Sequence, residues 1–263
     1  NRASLNISTM KYSLDGLRKL NNAFEKVYFI LGNHDLFYRE TRDVNSVEFV
    51  KELPNIILID SVLSEGDCTF VSWLVGDEWK KIPKIKSKYM FGHFELPTFK
   101  LNAMVEMPDH GGLKSEMFTN QEFVFSGHFH HRQIKGNVIY TGNAFPHNFS
   151  DAGDDERGWM FLEWGSEPEF FAWPDAPKYK NITLSDLLVD PSKYLLPKTT
   201  ARITLDIDIS YEEANFIKDT FIEAYDLRDI SLQPMKNTQH EEDTGAELHF
   251  ETIDEIVISQ LNS

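Results

Sequence analysis

The sequence predicts a mixed α/β (α+β) protein, and three observations predict it. Short apolar runs of strand length recur along the first half of the chain: Val27–Leu31, Ile56–Ile59, Cys68–Leu74, Lys88–Phe91 and Glu122–Phe125. Apolar residues at helical spacing lie among them. Three of the runs end in glycine followed by polar side chains. Open α/β sheets bind ligands at that place, beyond the carboxyl ends of their strands.

The elements follow in order. Met10, Leu14, Leu17, Leu20 and Phe24 predict an amphipathic helix over about Thr9–Lys26, packed on a sheet. Val44, Val47, Val50 and Leu53 predict a shorter helix that stops before Pro54. Lys80, Lys81, Lys84, Lys86 and Lys88 form a basic run, read either as a solvated loop or as a phosphate-backbone contact. Phe94–Asn120 has no clean period and reads as a long irregular insertion. Asn137–Tyr140, Gly158–Trp164 and Phe170–Trp173 read as strands spaced like a meander. Pro174, Pro177, Pro191 and Pro197 punctuate a linker-like stretch containing one apolar piece, Leu184–Val189. Ala201–Ile209 alternates as a half-buried strand. Ser210 with Glu213 forms a capping box for a helix over Tyr211–Tyr225, and Ile230–Leu232 follows as a strand. Asn237–Thr244 is polar, and Ile253–Leu261 reads as the start of a helix. The expected division is a domain over 1–176, a linker over 177–198, and a small β-α-β domain with the start of a C-terminal helix over 199–263.

The 263 residues carry a net charge of −16, and residues 199–263 alone account for −11 of it. Such acidity argues against a nonspecific nucleic-acid coat. It leaves a nuclease open, because bound divalent cations invert the local field of an acidic site. The single cysteine, Cys68, leaves no intramolecular disulfide, which favours a reducing, cytoplasmic location. No apolar run approaches a membrane span.

Three stretches share one design: Gly32-Asn33-His34-Asp35, Gly92-His93 and Gly127-His128-Phe129-His130, each closing an apolar strand. Glycine permits a tight turn and a close ligand approach. In an extended segment His128 and His130 project to one side, and His131 to the other, toward the surface. Asn offers a carbonyl oxygen, His an imidazole and Asp a carboxylate, a set suited to metal binding and proton transfer. His147, after Gly142-Asn143-Ala144, is a candidate substrate contact, as are Lys80 and Lys81. There is no phosphate-binding glycine loop, no serine-nucleophile motif and no zinc-finger spacing.

In this order the three motifs resemble the last three of the five motifs of calcineurin-like metallophosphoesterases. The flanking Gly142-Asn143 and Glu156-Arg157-Gly158-Trp159 are similar to the closing segment of SbcD-type DNA exonuclease subunits, and the short form looks most like phage versions. The resemblance covers most of residues 1–235. It implies a metallophosphoesterase-type β-sandwich flanked by helices and followed by a small α+β capping domain. It also implies a metal-dependent exonuclease and endonuclease acting in DNA repair or recombination. By the resemblance, Asn33, His93 and His128 would ligate one metal and His130 a second. His34 would protonate the leaving oxygen, with Asp35 holding its ring. The implied cofactor is a pair of manganese ions, with magnesium, iron or zinc as alternatives. The implied partners are DNA and an SbcC-type coiled-coil ATPase, with a homodimer left open and no membrane, in a bacterial or phage-infected cell. The DxH and GDxxD motifs of the family do not occur before Gly32, so the expectation is a domain truncated at its N-terminus and inactive by itself. A phosphomonoesterase or cyclic-nucleotide phosphodiesterase of the same superfamily, and a non-catalytic scaffold, are the alternatives.

Overall fold

The computed structural model describes residues 6–101 and 105–235. It is a mixed α/β protein with a six-stranded central sheet and few helices. Helix α1 (Ile7–Ala23) is capped by Asn6, whose side chain accepts from the Ser8 N–H. It leads into β1 (Val27–Ile30), which pairs in parallel with β2 (Ile56–Ile59). Only Asn21 of α1 is buried, and Met10, Leu20 and Phe24 are each more than 40% exposed. The helix expected to pack on a sheet therefore leaves much of its apolar stripe uncovered. The second expected helix shrinks to a 3-10 turn, Glu48–Glu52, since Val44–Val47 is drawn aside by the Leu36–Asn45 bridge.

The central sheet contains β3 (Val62–Glu65), β4 (Cys68–Val71), β5 (Tyr89–Gly92), β6 (Phe123–Ser126), β7 (Gln133–Lys135) and β8 (Val138–Tyr140). Its order is β3-β4-β5-β6-β8-β7, with β4, β5, β6 and β8 parallel and the two edge strands antiparallel. The expected meander is thus confined to the hairpin of β9 (Gly158–Phe161) and β10 (Glu169–Ala172), while β8 joins β6 in parallel. Edge strands β3 and β7 escaped sequence reading because they are short and largely exposed.

Register places the functional residues. Val71, Gly92, Ser126 and Tyr140 stand side by side at the carboxyl ends of four parallel strands. The segments leaving them therefore emerge at one edge of the sheet. The end of β1 is tied to that edge, because Leu31 N–H donates to Ser72 Oγ (2.8 Å) and Trp73 N–H donates to the Leu31 carbonyl (2.7 Å).

Beneath this edge lies a core of Val71, Met90, Phe94, Leu96, Phe99, Val124, Phe129, Val138 and Tyr140. The irregular insertion is no loose loop, since it supplies Phe94, Leu96, Phe99, Leu113 and Phe118 to this core. The basic run is not an open loop either. Gly76–Lys84 is a 3-10 helix in which Lys80 pairs with Asp77 (2.7 Å), and Lys88 beyond it pairs with Glu122 (2.8 Å).

The stretch read as a linker forms β11 (Lys178–Thr183), α2 (Leu184–Val189) and α3 (Pro191–Tyr194). Thr183 and Asp190 cap the two helices, and Pro191 occupies a first turn where no N–H is needed. β11 pairs in parallel with β12 (Thr199–Leu205), beside β13 (Asp229–Pro234), with α4 (Tyr211–Ala224) between them in sequence. The capping box of Ser210 and Glu213 is present. Ile182, Leu184, Leu187, Ala201, Ile203 and Ile230 form a second core, and both cores belong to one compact unit, Asn1–Gln233. The expected features at Asn237–Thr244 and Ile253–Leu261 lie outside the described residues. Among the described residues no helix is long and apolar enough to cross a membrane.

Candidate metal centre

Asn33, His93 and His128 come together at the sheet edge. Gly32-Asn33-His34-Asp35 forms a turn in which Asp35 N–H donates to the Gly32 carbonyl (3.2 Å) and Asp35 Oδ2 accepts from Gly32 N–H (2.7 Å). Burial pushes the Asp35 carboxyl up, against the Gly32 N–H and the His34 ring, which pull it down. Asn33 Oδ1 lies 3.1 Å from His93 Nε2. The His93 and His128 rings sit edge to face with centroids 5.4 Å apart, and Trp73 packs on both, 5.9 Å from His93 and 5.3 Å from His128.

Space for His93 comes from two glycines. A Cβ on Gly127 would come within 2.8 Å of His93 Nδ1, and one on Gly32 within 2.9 Å of His93 Cε1. The chain beyond His93 is pinned from below, as Phe94 N–H donates to Ser126 Oγ (2.9 Å) and Tyr140 Oη donates to the Phe94 carbonyl (3.0 Å). That places Glu95, whose Oε2 is 3.2 Å from His128 Nε2.

Burial pushes His93 down to about 3, helped by the His128 and His34 rings. Burial also lowers His128, with Glu95 opposing. A neutral imidazole offers a lone pair, the state a metal ligand requires. His128 holds a left-handed backbone, φ 88°. Non-glycine residues adopt that region uncommonly, and holding one there costs about 1–3 kcal/mol. The left-handed His128 also means that Gly127–His130 is not extended, so alternation does not govern where His128 and His130 point.

His130 belongs to a neighbouring group. Its ring lies 5.7 Å from that of His147, and its Nδ1 is 3.5 Å from Asp151 Oδ1. Asn143 Nδ2 is 3.2 Å from His147 Nδ1. Burial lowers His147, and His130 adds to this. For Asp151, burial would raise the carboxyl, but the His147 N–H, Arg157 and His130 outweigh it and hold it below the usual range. His131, expected at the surface, is half-buried and pairs with Asp154. Lys80 and Lys81 are exposed on the 3-10 helix that also carries Trp79, and Trp79 with Trp73, His93 and Glu95 walls a cavity of about 160 Å³. Larger hollows of about 570 Å³ beside Tyr28 and about 450 Å³ along α1 hold none of these histidines.

Sequence reading missed Glu95, Asp151, Asp154 and the contacts of Arg157. Arg157 was legible only as part of a flanking motif, and single acidic residues carry no pattern in a chain with 42 of them. Among the described residues no three His, Cys, Asp or Glu side chains converge as a metal-holding group by themselves. The donor chemistry nevertheless fits a divalent cation that takes mixed oxygen and imidazole ligands. Asn33 and the neutral His93 already point polar atoms at one another, inside a cradle cut by Gly32 and Gly127.

No family model matches the chain. It is similar to exonuclease subunit 1 of Enterobacteria phage T4, at 27% identity over 169 residues, covering 61% of this chain and 49% of that protein. The chain thus spans about half the length of the curated relative it matches. The similarity supports a distant relationship to a nuclease subunit.

Proposed function

We propose that the chain carries the histidine-bearing part of a metal-dependent DNA nuclease of the metallophosphoesterase type. The reading is carried by the meeting of Asn33, His93 and His128 from three separate strand ends, and the phage exonuclease subunit supports it. Asn33, His93 and His128 would hold one divalent cation and His130 a second, with manganese the metal of choice. Cations held by these residues would supply neutralisation of charge on the phosphoryl oxygens and a water of lowered pKa as nucleophile.

His34, exposed at the rim, delivers a proton to the leaving alkoxide, and Asp35 keeps the turn that carries it closed. Lys80, Lys81 and His147 contact the phosphate backbone. The relative's designation as a subunit supports a partner chain, which we take to be an SbcC-type ATPase.

Manganese-loaded full-length protein is expected to release nucleotides from linear duplex DNA, and His93→Ala to abolish both release and manganese uptake. Loaded protein that leaves every DNA substrate intact while hydrolysing p-nitrophenyl phosphate would replace this reading with a phosphomonoesterase.

A further inference from the structure

We propose that Asp151 and Arg157 are positioning residues for His130, fixing its imidazole as the tautomer with the proton on Nδ1 and the lone pair on Nε2. Its purpose rests on the metal-binding reading of His130. Both residues are buried, Asp151 at 2% and Arg157 at 1% exposure. Asp151 uses its two oxygens differently. Oδ2 accepts from the His147 N–H at 2.9 Å, while Oδ1 faces His130 Nδ1 at 3.5 Å and Arg157 Nη2 at 3.4 Å.

An ionised carboxylate only accepts, so the ring nitrogen facing it carries the hydrogen and the other nitrogen is left with its lone pair. Histidines that bind metals are oriented in this way by a carboxylate or carbonyl behind them.

The backbone of His130 is held as well. Arg157 Nη1 donates to the His130 carbonyl, and Asn143 N–H donates to the same oxygen at 2.9 Å. Gly142, at φ +72°, passes so close that a Cβ would stand 2.8 Å from that oxygen. Charge points the same way. Arg157 Nη2 also lies 2.9 Å from Asp154 Oδ2, so one guanidinium meets two carboxylates. The surplus negative charge faces His130 through Asp151 and His131 through Asp154. A purely structural ion cluster would need neither histidine.

The test is the imidazole ¹⁵N–¹H correlation spectrum of the metal-free protein at neutral pH, together with manganese titration. His130 is expected to carry its proton on Nδ1. Asp151→Asn is expected to move it toward the Nε2–H tautomer and to weaken manganese binding about 10- to 100-fold, with Asp151→Glu restoring part of both. A wild-type spectrum with His130 protonated on Nε2 overturns the proposal without any variant, so a variant that misfolds does not rescue it. Folded Asp151→Asn with unchanged tautomer and affinity overturns it as well. Wild type that takes up no manganese would count against the metal reading above, while the tautomer still decides this one.

Discussion

Gly127 illustrates how tightly the residue scale constrains this site. Its role is to be absent, because any Cβ there would push into Nδ1 of His93 at 2.8 Å. The obstructed atom belongs to a side chain that can rotate, so the strain is relieved by moving the ring rather than the sheet. Gly127→Ala should therefore cost only about 1 kcal/mol of stability. It should weaken manganese binding at least tenfold, because His93 can no longer meet Asn33 at 3.1 Å. Urea unfolding and a manganese titration on the same sample check this, and a variant with wild-type affinity would show that His93 has room the geometry denies it. Part of this was legible in the sequence, where glycine followed by Asn33, His93 or His128 at three strand ends marked the turns and the candidate ligands. The contacts behind these histidines were not. Glu95, Asp151 and Asp154 reach their histidines through folding of the chain, and no spacing rule links residue 151 to residue 130.

Among the elements, the parallel strands and α1 differ sharply in what they bury. Met90 in β5 is fully buried at the centre of the main core, whereas Leu20 in α1 is 43% exposed. Met90→Ala should cost about 2–5 kcal/mol, the usual range for emptying a core site. Leu20→Ala should cost under about 1 kcal/mol, because much of its surface remains in water. Urea midpoints of the two variants decide, and equal losses would mean that α1 packs far more tightly than its exposure indicates. The strands were readable because their runs are short, rich in β-branched and aromatic residues and bounded by turn residues, which together favour strand over helix. Helix α1 was readable as a helix from its period, but periodicity reports which face is apolar and not whether anything covers it. Segment 177–198 hid its strand and helices for a related reason. Its three prolines, with Pro174 just before it, suggested a linker, yet Pro191 sits at a helix start, where its missing N–H does no harm.

At the scale of the molecule, the C-terminal layer bears on the site's own scaffold. Arg202 of β12 lies over the Phe149 ring at 3.9 Å, and Tyr179 of β11 meets the same ring at 5.1 Å. Lys180 pairs with Asp155. Phe149 begins the 3-10 turn Phe149–Asp151 that carries the carboxylate behind His130. With both cores in one compact unit and this turn touching β11, β12 and His130, the two layers should unfold together. A cation bound at the sheet edge should then stabilise the C-terminal layer as much as the central sheet. At a free manganese concentration of 100 times its dissociation constant, the gain is about 2.7 kcal/mol. Far-UV circular dichroism reports the whole chain, and a fluorophore attached on exposed α4 reports the C-terminal layer. Both should give one midpoint, which rises with manganese and falls back with chelator. Two midpoints, with only the central-sheet transition responding to metal, would mean that the layers fold separately and that Phe149 transmits nothing between them.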